Sequence, residues 1–136
     1  DNMRREFQFN EEETAFLDTL SPQWETIKEK GFRWLLIPNF PIPQGYTVDN
    51  AIAAINIPLE YPIAQLDMVY FYPAIKRNDG KSIRQTQYYQ TINGKSFQRW
   101  SRHYTSINPW NPNGDSIITH IMAIQNWLER EFGRNV

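Results

Sequence analysis

The sequence predicts an α+β domain in which an antiparallel β-meander of about four strands is flanked by an N-terminal and a C-terminal helix. Three observations predict it. Helix-type apolar spacing occurs near the two ends of the chain, after Asn10 and after Ser116. Between them lie apolar runs of strand type, Phe32–Phe40 (FRWLLIPNF) and Leu66–Tyr72 (LDMVYFY). Pro38, Pro41, Pro43, Pro58, Pro62 and Pro73 cut those runs short, and short links make sequential strands antiparallel neighbours.

The first helix is predicted over residues 11–20. Asn10 can cap it, Glu11, Glu12 and Glu13 favour the positive end of its dipole, and Phe16, Leu17 and Leu20 form an apolar stripe that Ser21-Pro22 closes. Trp24–Ile27 reads as a short strand before the polar turn Lys28–Gly31. Phe32–Phe40 is the clearest strand, with Phe32, Trp34, Leu36 and Phe40 expected on one face. A turn at Pro41–Tyr46 leads to a strand in Ala51–Pro58, and Leu66–Tyr72 is the next, with Leu66, Met68, Tyr70 and Tyr72 facing opposite to Asp67, Val69 and Phe71. Residues 74–96, punctuated by Gly and Asn, read as loops with at most one short strand. Ser116 or Asp115 caps the last helix, where Ile117, Ile121, Ile124 and Leu128 recur at helical spacing, Phe132 extends the stripe and Gly133 suits the terminal left-handed position. Residues 1–9 are expected to form a disordered or extended tail and residues 10–136 a single domain. No signal peptide is expected before Asn10, and a start at Asp1 is compatible with a trimmed piece of a longer chain.

Composition narrows the chemistry. The 136 residues carry 14 Lys+Arg against 15 Asp+Glu, a net charge of −1 that offers no broad cationic surface to nucleic acid. No apolar run approaches the roughly 18 residues of a membrane span. With no cysteine there is no disulfide, cysteine zinc site, iron–sulfur cluster or thiol nucleophile, and two histidines are too few for a three-His metal site. No phosphate-cradling glycine loop or Gly-flanked serine nucleophile occurs, so neither a metal nor another cofactor is expected.

One segment is dense in reactive and aromatic side chains, Lys95–Pro112 (KSFQRWSRHYTSINPWNP). Two readings of it stay open. In one it is a packed loop anchored by Trp100 and Trp110; in the other Ser101 is a nucleophile with His103 as its base, because a hydroxyl attacks poorly until a neighbour takes its proton. On a regular strand the two side chains would share a face about 7 Å apart, too far for a direct hydrogen bond without a bend or a bridging water. Arg102 and Arg99 are candidates to steady a developing oxyanion. Trp100, Tyr104 and Trp110 complete the candidate binding wall, although tryptophans here also serve packing. His120 reads as structural and Asp115 as a helix cap; Asp67 reads as an edge or solvent-facing carboxylate, with an inward-facing carboxylate as the alternative. Tyr88, Tyr89 and Tyr104 would suit a peptide or sugar platform.

The order of landmarks carries more than any one of them. Tyr61-Pro62 precedes the Leu66–Tyr72 strand and Pro73; then come a long loop, the Trp100 segment, Trp110-Asn111-Pro112, and Asp115-Ser116-Ile117 opening a helix. This order resembles the ubiquitin-conjugating enzyme (E2/UBC) superfamily over about residues 10–132. Trp-Ser-Arg-His at 100–103 and Pro41-Ile42-Pro43-Gln44-Gly45-Tyr46 are similar to the bacterial E2-like proteins of prokaryotic E2 family E. The resemblance implies a UBC-like fold and a cytoplasmic role in ubiquitin-like protein conjugation. It also implies a ubiquitin-like protein and an E1-like adenylating enzyme as partners, with a JAB-type peptidase in the same pathway.

Two departures bear on mechanism. The register of the family's catalytic cysteine falls near Arg102, between Ser101 and His103, where no thiol exists. The His-Pro-Asn motif is absent, and Asn93 is only a loose positional stand-in for its asparagine. Three explanations are open: oxyester transfer through Ser101, a non-catalytic E2 variant that binds and positions the ubiquitin-like protein, or a cysteine replaced in this chain. An unrelated aromatic-rich peptide or sugar-binding module is the rival. A free-standing hydrolase would need a complete nucleophile–base–acid set, which the sequence does not place.

Overall fold

The computed structural model describes residues 3–134. Its elements are α1 (Glu11–Leu20), β1 (Glu25–Glu29), β2 (Phe32–Pro41), β3 (Asn50–Asn56), β4 (Val69–Tyr72), β5 (Tyr89–Ile92), β6 (Lys95–Trp100) and α2 (Ile117–Arg130). All strands pair antiparallel in one curled sheet of order β1-β2-β3-β4-β6-β5, flanked by the two helices.

Both helices begin with reciprocal caps. Asn10 Oδ1 accepts from the Glu13 N–H at 2.8 Å while the Glu13 carboxylate accepts from the Asn10 N–H at 3.0 Å. Ser116, rather than Asp115, caps α2: its hydroxyl accepts from the Ile118 N–H, and Thr119 Oγ1 accepts from the Ser116 N–H. The α2 stripe is buried as its spacing predicts, with Ile117, Ile121, Ile124 and Leu128 packed on Leu35, Ile37, Ala53, Val69, Phe71 and Trp100. Each such aliphatic side chain contributes about 1.5–3 kcal/mol of transfer free energy. The outer sheet face carries a smaller cluster of Ile27, Trp34, Leu36, Tyr70, Ile92 and Phe97.

The sheet has six strands where about four were expected, and the addition is the β5–β6 hairpin. Its signal was the Asn93-Gly94 pair, which adopts φ of 52° and 78° and so makes the left-handed two-residue turn that favours hairpins. Weak apolar alternation hid it, since Tyr89 is exposed and Ile92 alone is buried in β5. The face expected for β2 also needs correction. Trp34 and Leu36 join the outer cluster, but Phe40 enters the core with Leu35 and Ile37. Between Ile37 and Phe40 the pairing with β3 slips by one residue, and Asn39 sits at φ 57°; the bulge turns the rest of the strand over. Likewise β4 begins only at Val69, because Met68 is left-handed at φ 57°.

Two joins position the ends. Residues 4–7 run beside β1, where Thr26 N–H donates to Arg4 C=O and Glu6 N–H to Thr26 C=O, and Phe7 is buried. The Tyr61 hydroxyl donates to the Glu13 carboxylate and accepts from the Ile117 N–H, tying α1 to the start of α2. Insertion of β6 beside β4 brings together two segments distant in the chain. Val69 pairs with Trp100, so the residues just before β4 lie against those just after β6.

Candidate active site

Beyond Trp100 the chain leaves regular strand geometry. Trp100 pairs with Val69, yet the next contact is Met68 N–H donating to Arg102 C=O at 3.0 Å, so two residues advance on one side against one on the other. Ser101 is the extra residue, and its N–H donates instead to Gln85 C=O at 3.1 Å. This bulge-like bend folds His103 back toward Ser101. Ser101 Oγ lies 3.0 Å from His103 Nε2, a direct hydrogen bond where a flat strand would have left about 7 Å.

The same bend, with left-handed Met68 opposite, brings in Asp67. His103 Nδ1 lies 2.9 Å from Asp67 Oδ1 and 3.0 Å from Oδ2. A carboxylate only accepts, so Nδ1 carries a proton, and in the neutral imidazole Nε2 accepts from the Ser101 hydroxyl. Hydroxyl, imidazole and carboxylate thus stand in line, an arrangement in which the imidazole can take the hydroxyl proton while the carboxylate holds its tautomer and balances its charge. The relay stands in water: the His103 and Asp67 side chains are 56% and 34% exposed.

A surface groove of about 470 Å³ borders it, lined by Ser101, His103, Arg84, Arg102, Trp127, Arg130 and Glu131 among others. Three arginines against one glutamate make it cationic. Another concavity, of about 420 Å³ beside Ile75, Thr86 and Gln98, has neither a histidine nor a carboxylate in its lining. Among the described residues no cluster of His, Asp and Glu is placed to hold a metal ion, and no helix is long and apolar enough to cross a membrane.

The other side chains of the segment are held by the fold. Arg102 is buried, donating to Arg84 C=O, to Ser101 C=O and, through Nη2, to Glu131 at 3.3 Å. Burial, then the neighbouring Arg84 charge, pulls its pKa down, and Glu131 opposes both. Arg99 stacks on Tyr88 at 4.2 Å. Trp100 is fully buried between Phe71 and Tyr46, leaving no surface to offer a partner. Trp110 Nε1 donates to Pro62 C=O at 2.9 Å, and its ring packs edge-on against Tyr104. Asn93 occupies the β5–β6 turn, at the end of β6 opposite Ser101. Tyr88 and Tyr89 are exposed.

Behind the relay lies His120, fully buried on α2. Its Nε2–H donates to Met68 C=O at 2.9 Å and its Nδ1 accepts from the Tyr104 hydroxyl at 2.8 Å. Burial lowers its pKa, against the opposing pull of the Met68 bond and the Asp67 and Asp115 charges. Burial also raises that of Tyr104. The neutral imidazole therefore anchors the residues that follow Asp67 and His103.

The model of a protein family described as Prokaryotic E2 family E matches residues 9–131. Neither the curated proteins nor the solved structures gave a match.

Proposed function

The chain belongs to prokaryotic E2 family E, and from that premise we propose that it accepts the C-terminal acyl group of a ubiquitin-like protein on the Ser101 hydroxyl. One observation carries the reading: in a chain without cysteine, the Ser101 hydroxyl, next to the position near Arg102 where the E2 resemblance implies a cysteine, is hydrogen-bonded to an imidazole that a carboxylate orients. The partners are a ubiquitin-like protein and an E1-like enzyme that delivers it as a thioester, in a pathway that also includes a JAB-type peptidase.

In the transfer, Ser101 Oγ bonds to the thioester carbonyl carbon and the carbon–sulfur bond breaks. The hydroxyl proton passes to His103 Nε2 and then to the departing thiolate. Asp67 stabilises the imidazolium in between. The positive groove formed by Arg84, Arg102 and Arg130 lowers the cost of negative charge on the carbonyl oxygen. Arg102 acts here as a positioning residue, since its bonds to Ser101 C=O and Arg84 C=O fix the nucleophile's backbone.

The test is a charging reaction with the cognate E1-like enzyme, ATP and the ubiquitin-like protein, stopped in acid within seconds and read by intact mass. The expected product is a one-to-one adduct that resists thiol reductant, yields to hydroxylamine and is absent from Ser101→Ala. Absence of any adduct, with binding of the ubiquitin-like protein retained, would leave the non-catalytic E2 variant instead.

A further inference from the structure

We propose that the Ser101–His103–Asp67 relay also discharges its acyl group to water, so that the chain is an acyl hydrolase releasing a free carboxylate. The identity of the acyl donor rests on the proposed function; the hydrolytic chemistry does not.

Three observations point the acyl group toward water rather than an amine. First, the relay contains the base that hydrolysis needs. Once the leaving group has departed, His103 Nε2, which stood 3.0 Å from Ser101 Oγ, is placed to take a proton from a water entering on the same side. Second, water has access: the His103 side chain is 56% exposed, so solvent reaches the nitrogen that would deprotonate it. Third, the groove disfavours the competing nucleophile. A lysine amine arrives as an ammonium ion, and the arginines at 84, 102 and 130 outnumber Glu131 around the path. The same charges attract the carboxylate product and the oxyanion that precedes it.

The step balances without a further reactant. The water oxygen bonds to the acyl carbon and the Ser101 Oγ–carbon bond breaks. One water proton passes through His103 Nε2 to Oγ, regenerating the hydroxyl. The other leaves with ionisation of the acid. Asp67 is a positioning residue here, acting only through His103.

Two experiments on the full chain test this. In the first, p-nitrophenyl acetate is the probe and no partner is present. Multiple turnovers are expected from the wild type, and background release from Ser101→Ala. Asp67→Asn should lose activity by about 100-fold. The loss should fall on kcat with KM little changed, and Asp67→Glu should restore part of the rate. A merely structural aspartate would show no such split and no such rescue. In the second, the charged adduct is isolated and its decay is followed in buffer and after denaturation. Decay at least about 100-fold faster in the native protein supports discharge by the relay. Equal decay in both, or decay only when free lysine is added, overturns the hydrolase and leaves acyl acceptance standing. No ester turnover and no adduct overturns both.

Discussion

His120 supplies the sharpest test of how the site is held. Leucine at this position nearly conserves volume but removes the acceptor for the Tyr104 hydroxyl and the donor for Met68 C=O. Each buried group left without a partner costs about 1–3 kcal/mol. Tyr104 is only half-buried and can turn its hydroxyl to water, so His120→Leu is expected to cost about 2–4 kcal/mol in total. The pH dependence sharpens this. The folded state depresses the His120 pKa, chiefly by burial, below the ordinary value of 6.5. Below that value the unfolded chain therefore binds a proton that the folded chain refuses. The stabilisation is complete above pH 6.5 and is lost as pH falls toward the depressed value, by at most about 1.4 kcal/mol per unit. Urea unfolding followed by tryptophan fluorescence at pH 7.5 and pH 5.5 should show the wild type weaker at the lower pH, with at most about 1.4 kcal/mol of that difference coming from His120. His120→Leu should lack the His120 part of that difference. Equal pH dependence in the two proteins, or a stability loss within error of zero, would refute a neutral, bonded His120.

Two further predictions concern the nucleophile and the far end of α2. Ser101→Cys should turn the charged adduct into a thioester cleaved by reductant, since the imidazole that assists a hydroxyl also favours a thiolate; an adduct that still resists reductant would place the acyl group elsewhere. Gly45 sits at φ 108°, and a Cβ there would come within 2.5 Å of Phe132 Cζ, a ring packed on Tyr46. Gly45→Ala should cost about 2–4 kcal/mol and lower the melting temperature by roughly 10 °C, whereas an unchanged midpoint would contradict the close approach.

What could be read from the sequence was whatever depended on local periodicity. The α2 stripe, both caps and the α+β class follow from spacing and from side chains that bond their own backbone. The reactive pair Ser101 and His103 was also visible, as residue types flanking Arg102, where the E2 resemblance implies a cysteine. Their contact was not, because it depends on a bend that periodicity cannot express. The irregularity has a partner across the sheet, Met68 at φ 57°, and nothing in Leu-Asp-Met-Val announces a left-handed methionine. Asp67 escaped for a related reason. It lies 36 positions from His103, and only the insertion of β6 next to β4 closes that distance. Its one sequence signal was a lone charge between Leu66 and Met68 at the head of an apolar strand. The Phe40 reversal is the same lesson in β2: one bulged residue inverts a face that alternation had assigned.

The missing cysteine and the added relay are connected by acid–base chemistry. A thiol near neutral pH exists partly as thiolate and attacks a thioester with little help. A serine hydroxyl ionises negligibly, so in that register it needs a base within hydrogen-bond reach, and the base needs its tautomer fixed. Ser101, His103 and Asp67 meet both requirements, at 3.0 Å and 2.9 Å. The exchange has a chemical consequence. An oxyester is a weaker acyl donor to amines than a thioester, so the outcome passes to whichever nucleophile the base can activate. Under the proposed hydrolysis, the exposed relay beside the cationic groove gives that role to water. With Ser101 as the proposed acceptor, the expected end product on this E2-like scaffold is a released carboxylate rather than a conjugate.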